Sequence, residues 1–200
     1  MKRNILIGLL SISLVYCFTR HLEELRYVPE GTVGVMRDAA GTVSESVSKP
    51  GRVWLRGGQG LALYRTTPID ATIPARQLRG AYDGRATPAL GLIYRIDAER
   101  AAAFRSHHPD VHQSLRRDDR GLILPGFYAV VEAMRAALKQ EKEPPLPRQG
   151  GADLTLVQDR LRRIAVRAKQ SLALRFSETF HVLGAWVAAP GFERIAVDLE

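Results

Sequence analysis

The hydrophobic period changes once along this chain, near Asp97, and that change sets the fold class. Upstream the apolar residues fall in short alternating runs. Thr32-Val33-Gly34-Val35-Met36-Arg37 alternates β-branched side chains and is predicted to be a strand. Asp38-Ala39-Ala40-Gly41 closes a hairpin onto Thr42 to Val47, and Lys49-Pro50-Gly51 turns the chain into Arg52-Val53-Trp54-Leu55. Leu61 to Arg65, Ile69 to Ile73 and Ala89 to Ile96 read as further strands, with Pro88 at the start of the last. Gly57-Gly58-Gln59-Gly60 reads as a flexible break and Asp83-Gly84 as a turn.

Downstream the spacing is helical. Asp97 is a candidate N-cap for a helix over Ala98 to Phe104, which His107-His108-Pro109 stops. Gly121 to Gln140 carries one apolar stripe: Phe127, Val130, Val131, Met134 and Leu138. Glu141 to Gly151, with Pro144-Pro145-Leu146-Pro147, is a loop. Asp153 caps a long helix whose stripe is Leu154, Val157, Leu161, Ile164, Ala168, Leu172 and Phe176. Gly184 ends this helical section, and Ala185 to Ala188 forms a last strand. Strands first, then helices and a closing strand, predict an α+β domain.

The N-terminus is of another kind. Lys2 and Arg3 precede an uncharged stretch, Asn4 to Thr19, which Arg20 ends. Its apolar side chains, Ile5, Leu6, Ile7, Leu9, Leu10, Ile12, Leu14, Val15 and Phe18, are the candidate membrane anchor. Sixteen helical residues span about 24 Å against a hydrocarbon core of ~30 Å, a gap that snorkelling of Lys2, Arg3 and Arg20 can close. A cleaved secretory signal also begins this way, but Val15-Tyr16-Cys17-Phe18-Thr19 offers bulky side chains where a signal peptidase needs small ones. Leu14-Val15-Tyr16-Cys17 is a poor lipoprotein box because Tyr16 is too large. An uncleaved anchor over residues 1–20 is therefore expected, with the amino terminus inside and the body on the extracytoplasmic, periplasmic side. His21 to Arg26 reads as a short polar joint into the turn Val28-Pro29-Glu30-Gly31.

The body has an ordinary globular composition, 46% hydrophobic and 25% charged, so it can form a packed core. A net charge of +8 reads first as arginine spread over solvated faces, and second as attraction to anionic headgroups. No module interleaving basic and aromatic residues is visible, so nucleic acid is not an expected partner. The only cysteine, Cys17, lies in the leader, which leaves the body without disulfides or thiolate metal ligands.

Catalytic signals are weak. His107, His108 and His112 could share a helical face and bind zinc, but Pro109 interrupts them, so a polar loop is the plainer reading. Asp118-Asp119 lies among Arg116, Arg117 and Arg120 and reads as a charge-balanced turn. Ser177 near His181 lacks a nucleophile elbow, and the Gly57 to Gly60 run lacks the lysine of a phosphate loop. Arg160, Arg162, Arg163, Arg167 and Lys169 decorate the long helix and read as solvated, or as facing acidic headgroups or an acidic partner. No catalytic, cofactor or metal residue is assigned.

Several local phrases resemble the SPFH or Band 7 family of stomatins, prohibitins, flotillins and bacterial regulators of a membrane protease. Val28-Pro29-Glu30-Gly31-Thr32-Val33-Gly34-Val35 is similar to that family's opening strand. Pro50-Gly51 before Val53-Trp54, Tyr82-Asp83-Gly84, and Leu92-Ile93-Tyr94-Arg95-Ile96-Asp97 resemble its successive turns and central strand. Leu183-Gly184-Ala185-Trp186-Val187 sits where the family closes its sheet. The resemblance spans residues 27–197. It implies an SPFH-like domain and a non-enzymatic, membrane-anchored scaffold that needs no cofactor. It also implies self-association, or association with related subunits, and modulation of a membrane partner such as a protease or channel. The family's long Glu- and Ala-rich coiled-coil helix has no counterpart before Glu200, so a short member is expected. The rival expectation is an exported soluble binding protein that has lost its leader.

Overall fold

The computed structural model describes residues 23–74, 89–111, 115–141, 154–188 and 193–199. The candidate anchor residues from Ile5 to Phe18 lie outside this set, as do Pro88, Asp83-Gly84, His112, the Pro144 to Pro147 segment and Asp153.

The described residues form a mixed α+β fold with three helices and mostly antiparallel strands. A two-stranded ribbon pairs β1 (Glu24–Val28) with β4 (Gly51–Leu55). A five-stranded sheet runs β3-β2-β5-β9-β8, from β2 (Thr32–Arg37), β3 (Val43–Ser48), β5 (Gly60–Arg65), β8 (Arg116–Arg117) and β9 (Ile123–Leu124). A four-stranded antiparallel sheet runs β11-β10-β7-β6, from β6 (Ile69–Ile73), β7 (Ala89–Ile96), β10 (Phe180–Ala188) and β11 (Ile195–Asp198). The helices are α1 (Ala101–His107), α2 (Phe127–Lys139) and α3 (Leu154–Phe176).

Period-2 burial explains the four-stranded sheet. Ile69, Ala71 and Ile73 of β6 and Leu90, Leu92, Tyr94 and Ile96 of β7 face the same side and are buried. Helices α2 and α3 cover that side, supplying Met134, Val130, Leu161 and Ile164. The apolar stripe expected on α2 is buried throughout. On α3 it holds from Val157 to Phe176, but Leu154 is 53% exposed, because it lies at the helix start. Helix α1 packs on β3 and β2 and joins the two sheets into one core.

Five local expectations are corrected. The expected polar joint is the strand β1, whose alternation Leu25, Tyr27 against Glu24, Arg26 fits a pleated ribbon. Asp97 does not cap α1: its Oδ1 accepts the Glu99 N–H at 2.9 Å and closes a turn, and the helix starts at Ala101. The segment before Phe127 is not helical, since Gly121 and Gly126 adopt φ of +76° and +65° and Ile123 pairs with Tyr64. Gly184 does not end a helix. It lies inside β10, at an irregularity between Val182 and Gly184 that shifts the inward phase from Phe180 and Val182 to Ala185 and Val187. That strand is not the last, because β11 follows it.

Candidate functional site

The polar clusters that stood out in the sequence are absorbed by packing and turns. The His108 ring stacks edge-on to Phe176 at 4.9 Å and lies 5.6 Å from Phe104, while His107 is exposed. Phe104, Phe176 and Phe180 complete this cluster, with Phe104 and Phe180 centroids 5.0 Å apart, and it ties α1 to the junction of α3 and β10. Among the described residues no three His, Cys, Asp or Glu side chains are grouped to hold a metal ion. Asp118 Oδ1 accepts the backbone N–H groups of Arg120 and Leu122, both at 2.9 Å, which makes it the turn-former between β8 and β9. The Gly57 to Gly60 run is a closed turn, not a flexible break. Gln59 N–H donates to the Arg56 carbonyl at 2.9 Å, and Arg56 N–H donates to Gln59 Oε1 at 2.8 Å. Ser177 is the positive-φ residue that ends α3, at +48°, and His181 lies 3.9 Å from Asp97.

The basic side of α3 is partly neutralised within the chain. Glu141, its side chain 8% exposed, receives Arg163 at 3.3 Å and also Arg167, and Arg162 reaches Asp159 at 4.0 Å. Beside Arg167 a shallow groove between α2 and α3 is lined by Ala133, Ala136, Ala137 and Leu174, the last 90% exposed.

Two buried phenols and one sheet clasp are structural. Burial pushes the Tyr64 hydroxyl up to about 12, although Arg105 and Arg117 pull it the other way. Burial raises Tyr94 well above the ordinary range, and its hydroxyl donates to the Pro125 carbonyl at 2.9 Å. On the far face of the four-stranded sheet, Trp186 Nε1 donates to both Asp70 oxygens at 3.0 and 2.9 Å. Arg194 bonds the same carboxylate at 3.3 Å and lies 4.0 Å over the indole ring.

One surface is not explained by packing. The ribbon register sets Leu25 opposite Trp54 and Tyr27 opposite Arg52, so these four side chains share one face. Val28 and Leu55 lie on the other face and are buried. Trp54 and Tyr27 are each 62% exposed and Leu25 is 44% exposed. The sequence hides this patch, because Leu25 stands among the polar residues His21 to Arg26. Its signal was the alternation Glu-Leu-Arg-Tyr-Val from Glu24 to Val28.

No protein-family model matches this chain, and no curated protein aligns with it significantly.

Proposed function

We propose that the chain is a non-enzymatic, membrane-anchored scaffold with an SPFH-like domain, which self-associates at the bilayer and modulates a membrane partner such as a protease or channel. The observation that carries this reading is the apolar run Ile5 to Phe18 set directly before an α+β body whose first seven strands precede its helices. Anchoring confines the body to two dimensions, which raises its effective concentration toward weak partners. The body sits on the extracytoplasmic side, because Lys2, Arg3 and the amino terminus favour the inside. Deleting Lys2 to Thr19 tests the anchor: the truncated chain is expected to leave the membrane pellet, and its retention there through a high-salt wash would overturn the assignment.

A second reading is an exported binding protein with a cleaved leader. The short span of the uncharged stretch, about 24 Å by helical rise, favours it. N-terminal sequencing of the mature chain separates the two.

A further inference from the structure

We propose that the outward face of the β1–β4 ribbon, formed by Leu25, Tyr27, Arg52 and Trp54, seats in the headgroup layer of the bilayer that holds the N-terminal segment. The inference rests on the membrane reading above. A Trp, a Tyr and a Leu held side by side on a ribbon form an apolar patch that a water-facing domain ordinarily covers. Indole and phenol rings carry an apolar body and a polar tip, and they concentrate where one side is hydrocarbon and the other is wet. Arg52 adds a cation within the same face, and Lys49 and Arg56, both exposed, flank β4 at its two ends. Their charge complements anionic headgroups. Of the acidic neighbours, Glu23 precedes the ribbon, while Glu24 lies on the opposite face and pairs with Arg26 at 2.7 Å.

Chain length selects the bilayer over other occupants. Phe18, the last apolar residue of the run, and Glu24, the first of β1, are six positions apart. Even fully extended, that connection reaches only about 20 Å, so a membrane-held Phe18 keeps the ribbon close to the bilayer surface. Val28 and Leu55 are buried on the ribbon's other face and β1 lies against β2, so the exposed face is carried as a formed surface.

The test uses the full chain in vesicles of equal parts brominated phosphatidylcholine and phosphatidylglycerol. Trp186 is 7% exposed and held by Asp70, so Trp54 is the tryptophan open to quenchers. The expected result is loss of Trp54 emission to the brominated chains together with protection from aqueous iodide. The loss should vanish in Trp54→Phe and weaken when Leu25 and Tyr27 are both replaced by Ser, with Trp186 emission reporting that each variant is folded. If the protein floats with the vesicles after carbonate washing while iodide still quenches Trp54, the anchor stands and this proposal is overturned. Protection of Trp54 from both iodide and bromine overturns it in favour of a second chain covering the face. Failure to float overturns the membrane reading itself, and the proposal with it.

Discussion

Gly91 is a glycine because the indole of Trp186 fills the place of its side chain: a Cβ there would lie 2.2 Å from Trp186 Cε2 and Nε1. Gly91→Ala must lift the indole off the sheet and away from Asp70. The expected loss is about 1–3 kcal/mol, read by chemical denaturation with Trp186 emission as a second probe. Tyr64 gives a pH signature. Its folded pKa is raised from the ordinary 10.0 to about 12, so its contribution is fully present below pH 10 and is lost as pH rises through about 12. Tyr64→Phe should therefore flatten the alkaline fall in stability over that window by about 3 kcal/mol, two pKa units' worth. An unchanged slope would contradict the burial assigned to this phenol. Neither residue announced its role in the sequence, since Gly91 and Trp186 are far apart in the chain and meet only across the β7–β10 pair.

At the scale of elements, the segments that kept a clean period were legible and those that broke it were not. Strands β2, β3, β5, β6 and β7 fall within a residue of where alternation places them: β6 and β7 bury one face against the core, and Val43, Val47 and Ala62 of β3 and β5 pack half-buried against it. Only the last four residues of β10 are legible as a strand, because the phase shift at Gly184 hides the alternation, and a Cβ on Gly184 would strike the Val197 carbonyl at 2.5 Å. The start of α2 lies six residues after the expected Gly121, because Ile123 and Leu124 fit a helical or an extended period equally well. The stripe of α3 makes a paired prediction. Leu161→Ala, at a position fully buried, should cost about 2–5 kcal/mol. Leu154→Ala, at the exposed helix start, should stay within about 0.5 kcal/mol. Thermal unfolding of the two variants compares them directly, and equal losses would mean the helix is packed differently.

For the whole molecule, the body reads as one core and the function as a matter of place. The two sheets and three helices share a continuous set of buried side chains, from Val33 through Tyr94 to Val197. No helix among the described residues is long and apolar enough to cross a membrane. The candidate site was only half visible in the sequence. The apolar run is a local signal, whereas the Leu25, Tyr27 and Trp54 face exists only once two segments on either side of the β2–β3 hairpin pair. Self-association predicts a particle heavier than one chain in mild detergent by light scattering, and a single-chain mass would remove that part of the proposal. The central claim, that an uncleaved N-terminal run holds this domain at a membrane, is tested most directly by the intact mass of the C-terminally tagged chain after carbonate extraction. The full-length mass is expected in the membrane pellet. A chain shortened by its leader and recovered in the supernatant would contradict it.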